Sequence, residues 1–310
     1  MPSEVKRCLG ALAALALAAC SSLPPVQWGT PATGPLPERA EQTNAPFYPQ
    51  DDYQCGPAAL ATALGSAGLR RSPEELRDEV YLPARQGSLQ PEMLASARRS
   101  GAVAYRLAPE PQALLKELAA GHAVVVLQNL RFDWVPVWHY AVAVGYDMPA
   151  RQVVLRSGRE QRLVMDFDAF DRSWAKSDRW AFVALSPDRL PATANETGYV
   201  AAVVALERVA PAAAETAYRT ALAAWPRNLL ARIGLGNTAY RRGDRDAAEA
   251  AFRQAAADHP EAGDAWNNLA QVLHERGQDS AARDAAARAV ATGGPRLPTY
   301  RRTLDLVSGR

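Results

Sequence analysis

The chain has 310 residues, and at roughly 150 residues per domain that length suggests two domains rather than one. Hydrophobic residues at 48% and charged residues at 22% are ordinary globular proportions, which excludes a wholly disordered, collagen-like or multi-span membrane chain. The 35 Lys and Arg against 33 Asp and Glu leave a net charge of +2 with no long block of one sign, so nucleic acid is not expected as a partner.

Lys6 and Arg7 precede an apolar run from Leu9 to Ala19, the length of a signal-peptide core and short of the roughly 20 residues a spanning helix needs. The run ends Leu17-Ala18-Ala19-Cys20, which resembles the bacterial lipobox. That resemblance implies a signal peptide over 1–19 and an acylated Cys20 that becomes the mature N-terminus, so the membrane is expected as a partner through a lipid anchor. Ser21 stands where an inner-membrane retention aspartate would be expected, which favours the outer membrane, with the protein facing the periplasm. Loss of Cys8 and acylation of Cys20 would leave Cys55 as the one thiol of the exported chain, with no partner for a disulfide. Pro24-Pro25, Gly29, Pro31, Gly34-Pro35 and Pro37 make residues 20–46 read as a lipidated N-terminus and an extended tether that holds the next domain off the bilayer.

From residue 47 the chain mixes helical and strand signals. Helices are expected over Pro57 to Gly68, Ser72 to Tyr81 with its capped Ser-Pro-Glu-Glu start, Gln90 to Ser100 and Glu110 to Ala120. The period then changes. Short β-rich runs occupy Ala123 to Leu127, His139 to Val144, Gln152 to Leu155, Arg162 to Met165 and Trp180 to Leu185, with a helix over Phe167 to Trp174 before the last. Helices first and an antiparallel-looking sheet afterward indicate an α+β domain over 47–191.

Beyond about Glu196 the composition turns to alanine and arginine, and a repeat appears at an interval of 34: Leu235 recurs as Leu269, Gly243 as Gly277, Ala248 as Ala282 and Ala255 as Ala289. Small residues at fixed places let two antiparallel helices approach, and a glycine turns the chain between them. The pattern resembles the tetratricopeptide repeat. It implies an all-α helical solenoid over 195–310, with one degenerate unit (about 195–228), two good ones (229–262 and 263–296) and a capping helix near Tyr300 to Val307. By that resemblance the first helix of each unit lines a concave face, which here would present Asn237, Tyr240, Arg241, Asn267, Gln271 and His274 to a protein partner or an extended peptide. A merely solvated polar face is the alternative reading of the same residues.

Cys55 lies in Gln54-Cys55-Gly56-Pro57, just ahead of an expected helix. The amides and dipole of a helix N-terminus favour thiolate over thiol, so a lowered pKa and a nucleophile are expected there. Gly56 would let a substrate approach the backbone. Of the four histidines, His259 and His274 fall in the repeats and His122 reads as a surface or capping residue. His139 opens the buried-type strand His139-Tyr140-Ala141-Val142-Ala143-Val144-Gly145-Tyr146-Asp147.

Gln50, followed by Cys55-Gly56-Pro57-Ala58, and then the distant His139 strand, resemble cysteine peptidase family 39, whose members have a papain-like fold and are best known for removing double-glycine leaders from bacteriocin precursors. The resemblance spans about Phe47 to Leu185. It implies a peptide or protein substrate, Cys55 as nucleophile, His139 as general base and Gln50 as oxyanion donor, without a cofactor or metal. Ser157 falls where the family places an aspartate that orients the histidine, and Asp147 and Asp166 are possible substitutes off the family spacing. Two readings follow: a lipid-anchored, exported cysteine peptidase with a recruiting repeat domain, or a peptidase-like peptide-binding scaffold that has lost catalysis.

Overall fold

The structure is a computed structural model, and it describes residues 28–29, 35–49 and 54–309. The first domain is an α+β unit built on one antiparallel sheet. Its elements run β1 (Arg39–Glu41), α1 (Cys55–Ser66), α2 (Pro73–Val80), α3 (Gln90–Arg99), β2 (Val103–Arg106), α4 (Pro111–Ala119), β3 (Val124–Asn129), β4 (Trp138–Asp147), β5 (Gln152–Ser157), β6 (Glu160–Asp166), α5 (Phe167–Trp174) and β7 (Ala181–Leu185). The sheet order is β2-β7-β3-β4-β5-β6, with β1 added onto β4. Ser72 and Glu75 form the expected capping box at α2.

Alternation along β4 splits the domain into two apolar layers. Tyr140, Val142 and Val144 pack with Leu60 and Leu64 of α1, whereas Ala141, Ala143 and Tyr146 face the other way, toward Leu114 and Leu118 of α4 and Phe170 and Trp174 of α5. Gly145 has a specific cause. A Cβ there would stand 2.4 Å from the carbonyl oxygen of Ala40 and 2.8 Å from Cα of Glu41, because β1 crosses onto β4 at this point and the β4–β5 register shifts between Ala143 and Gly145.

The expected tether is only partly one. Trp28 is 3% exposed and stacks on Phe167 at 4.2 Å, and Arg39–Glu41 is a sheet strand. Buried Arg156 fixes this arm. Its guanidinium donates to the carbonyl oxygens of Gln42 (3.4 Å), Thr43 (3.3 Å) and Ala45 (3.5 Å), as well as to Gln161 (2.5 Å). Burial lowers the Arg156 pKa from its ordinary value, and multiple carbonyl acceptors are what make a buried guanidinium tolerable. Residues 20–27 and 30–34, Cys20 among them, and the signal segment 1–19 lie outside the described residues.

The second domain is all-α: α6 (Glu196–Glu207), α7 (Pro211–Ala224), α8 (Leu229–Arg241), α9 (Arg245–Asp258), α10 (Gly263–Glu275), α11 (Asp279–Thr292) and α12 (Leu297–Val307). The unit expected to be degenerate is a complete helix pair, α6–α7, so three pairs precede the capping helix. Glycines set the packing distance: a Cβ on Gly234 would fall 2.2 Å from the Tyr218 ring, and one on Gly236 2.4 Å from that of Phe252. The first pair also packs on the sheet. Tyr199, Val203, Leu206 and Tyr218 share a single buried cluster with Tyr105, Val124 and Val183. Among the described residues no helix is long and apolar enough to cross a membrane.

Candidate active site

Cys55 is the first residue of α1, which begins two positions ahead of the start expected at Pro57. Its thiol is half-buried. Three backbone amides, those of Tyr140, Gly56 and Cys55 itself, face the sulfur and pull its pKa down, but burial is the larger influence and pushes the thiol up. The expectation of a lowered resting pKa is therefore corrected: desolvation on the α1 side outweighs the helix terminus. Gly56 also has a different reason from the one expected. It is buried, and a Cβ there would collide with Ser88, with Oγ at 2.1 Å, so its missing side chain serves packing rather than substrate approach.

The Tyr140 amide at the thiol is the link between the two halves of the site, since Tyr140 follows His139 directly. His139 is the second residue of β4 and is half-buried, paired across the sheet with Gln128. Its Nε2 lies 2.9 Å from Ser157 Oγ. Ser157 is the last residue of β5 and is buried, and the β5–β6 register shifts between Leu155 and Ser157, which re-aims this end of the strand. With Nε2–H donating to Ser157 Oγ, the Nδ1 lone pair is left to accept a proton. Burial lowers the His139 pKa from its ordinary 6.5, so both the thiol and the imidazole are driven toward their neutral forms. Burial raises the phenol of Tyr140 too, reinforced by Cys55 and Glu92.

The other positions divide clearly. Gln50 lies outside the described residues. Gln54 is the N-cap of α1, without a side-chain capping bond. Asp147 is held by Arg39 at 2.6 Å and by the amide of Ala150 at 3.0 Å, which lower its pKa, and Asp166 stands ahead of α5; the bonds to Asp147 and the place of Asp166 put neither with His139. His122, expected at the surface or as a capping residue, is buried; its amide donates to the Glu117 carbonyl at 2.9 Å, and its Nδ1 lies 2.7 Å from Oε2 of fully buried Glu117. Among the described residues no group of His, Cys, Asp and Glu could hold a metal ion.

In the repeats, most of the residues expected to line a groove also tie neighbouring helix pairs together. Arg241 donates to Glu207 at 2.6 Å, Tyr240 donates to Glu275, Asn237 accepts from Asn268 at 3.4 Å, and Gln271 reaches Tyr240 at 3.5 Å. His274 sits 2.9 Å from Asp279, within its own unit. Arg241 and Gln271 are exposed, as expected, but Asn267 is 8% exposed and its Oδ1 is buried with no hydrogen-bond partner.

Two family models match the chain. Residues 42–181 match the Peptidase_C39 like family, and residues 199–244 and 233–298 match the tetratricopeptide repeat. A crystal structure from Bacillus anthracis, of a protein provisionally assigned as a C39-like peptidase, aligns with 48% of this chain and 98% of its own, at 18% identity and a TM-score of 0.41. No curated protein matches the chain. The chain thus joins a region that matches the C39-like peptidase family, residues 42–181, to a run that matches the tetratricopeptide repeat, residues 199–298.

Proposed function

We propose that the first domain is a cysteine peptidase in which Cys55 attacks, His139 moves the proton and Ser157 positions the imidazole. The observation that carries this reading is the join at the start of β4: the Tyr140 amide meets the thiol while the adjacent His139 is held through Nε2 by Ser157. Nδ1 takes the Cys55 proton as Sγ bonds to the carbonyl carbon of a peptide. The proton then passes to the leaving amine as the C–N bond breaks, and a thioester remains. Water adds to that thioester, gives its proton to Nδ1, and the C–S bond breaks to release the acid and restore the thiol. The family resemblance assigns Gln50 to the oxyanion, a role that the amides at the start of α1 would share.

The repeat domain is proposed to recruit a protein or peptide partner through the exposed residues of that face, Arg241 and Gln271 among them. Anchoring through Cys20 at the periplasmic side of the outer membrane is proposed from the lipobox alone; release of Cys20→Ser from the membrane fraction checks it.

The rival reading, a scaffold that binds peptides without cutting them, is favoured by the neutral tendency of both partners and by a hydroxyl in place of a carboxylate beside His139. Hydrolysis of a mixed peptide library by the purified chain separates the two. The peptidase reading expects cleavage that Cys55→Ala abolishes and His139→Ala lowers by about 100-fold or more. Cleavage that survives Cys55→Ala overturns it. Absence of cleavage, with iodoacetamide labelling of Cys55 indifferent to His139→Ala, establishes the scaffold.

A further inference from the structure

The segment 130–138, between β3 and β4, is a projecting hairpin with an unusual surface. Of the twelve large apolar side chains exposed among the described residues, six fall here: Leu130, Phe132, Trp134, Val135, Val137 and Trp138. The other six are scattered through the rest of the chain, as isolated exposed apolar residues ordinarily are. Trp134 is the extreme case at 78% exposed, and its ring stacks on Phe132 at 4.7 Å with the planes 4° apart.

This loop is built to hold those side chains outward. Asn129 is buried at its base, and its Oδ1 accepts from the amides of both Arg131 (3.1 Å) and Val137 (3.0 Å). Leu130 N–H donates to the Val137 carbonyl at 2.9 Å, and Val135 N–H to that of Phe132 at 3.1 Å. Lys176, from the turn after α5, donates to the Arg131 carbonyl at 2.5 Å and stands 3.6 Å from Asp133. Collapse of the apolar side chains onto the protein would lower their exposure, and these bonds oppose it.

The apolar side chains lie on both sides of the hairpin. Trp138 shares a sheet face with Tyr140, on the α1 side. Leu130, Phe132 and Val135 line a hollow of about 570 Å³ with Lys176, on the α5 side. A peptide or a second copy of the chain would cover one side of such a projection; a bilayer surrounds it. Tryptophan and phenylalanine are also the side chains suited to the headgroup boundary, where an apolar ring and a polar edge are both satisfied.

We propose that residues 130–138 are an interfacial insertion loop that enters the outer part of a phospholipid bilayer with Trp134 leading. The inference needs neither the Cys20 anchor nor catalysis by Cys55. It has a consequence for the candidate site, because Trp138 precedes His139 directly: insertion brings the mouth of the site to the membrane surface.

Tryptophan fluorescence of the purified full chain, added to phosphatidylethanolamine and phosphatidylglycerol vesicles with brominated acyl chains, reads insertion locally. Trp28, Trp174 and Trp180 are buried and do not report contact with bromine. The expected result is quenching in brominated vesicles that is largely lost in Trp134→Phe, together with a loss of about tenfold or more in vesicle partitioning for Phe132→Ser with Trp134→Ser. Unchanged melting of both variants shows that the fold is intact, since these side chains are exposed. Quenching that persists undiminished in Trp134→Phe overturns the proposal, as does a chain that sediments with vesicles while remaining unquenched, for then an anchor elsewhere holds it. Fluorescence indifferent to vesicles, with a raised KM for peptides in Trp134→Ala, overturns it in favour of a peptide-binding wall.

Discussion

Two histidines of one domain have opposite settings. At the candidate site half-buried His139 meets a serine hydroxyl. At the seam between the domains His122 meets a carboxyl group: Glu117 is wholly buried and also accepts from the amides of Ala192 (3.1 Å) and Thr193 (2.7 Å) and from the Thr193 hydroxyl (2.6 Å). The carboxyl–imidazole pairing that the family 39 resemblance would place at His139 is thus found at His122, where the two domains are fastened. A carboxyl group with four donors is a structural knot, because every donor is left unpaired if it goes. A hydroxyl with one imidazole orients a ring and leaves its charge largely unassisted.

The largest effect should come from cutting the knot. Glu117→Ala leaves up to four donors without their acceptor and is expected to cost at least about 3 kcal/mol, read as a fall in melting temperature and as earlier proteolysis near residue 192. If the variant melts with the wild type, the seam is held by apolar contact alone and the comparison fails. Ser157→Asp tests the other side. A carboxylate at the 2.9 Å position stabilises imidazolium, raising the His139 pKa, and imidazolium beside the thiol lowers that of Cys55. A shift of one unit or more gives about a tenfold faster iodoacetamide reaction near pH 7; an unchanged rate would mean that the thiol does not sense the imidazole. The smallest effect concerns the wild type alone. Because burial raises the thiol and lowers the imidazole, alkylation should climb through a midpoint above the roughly 8.5 of a free cysteine, with little reaction in the neutral range. A midpoint well below that value would show that the helix terminus prevails over desolvation in solution.

These settings differ in how far the sequence discloses them. The Cys55 and His139 motifs were legible because each lies within a short run, and the resemblance supplied Ser157, which no local pattern marks as a partner. The helices α2 and α5 were legible from caps and period, and the repeats from an interval that recurs at many positions. The knot was not. Glu117 and His122 flank the turn after α4, but the donors that define their role come from Ala192 and Thr193, some 75 residues later. Strand β1 was hidden for a related reason: Arg39–Glu41 has no apolar alternation, and its place is set by the gap at Gly145 and the carbonyls that Arg156 collects. Strand β2, four residues long and next to a helix, gave too short a period to detect. The loop 130–138 carried a visible signal, a run of large apolar residues broken by Pro136 between two strands.

The clamp at Arg156 bears on the order in which the molecule assembles. The carbonyls of Gln42, Thr43 and Ala45 lie 111 to 114 residues ahead of the guanidinium that binds them, and β1 waits on β4 partners 104 to 108 residues on. A chain made or threaded from its N-terminus presents this arm early and its receptors late, and such long-range closures are slow steps. Until β5 arrives, the arm lacks the guanidinium that collects its carbonyls. The arm is then fixed together with the centre of the sheet rather than ahead of it, so its docking falls after most of the first domain has been synthesised.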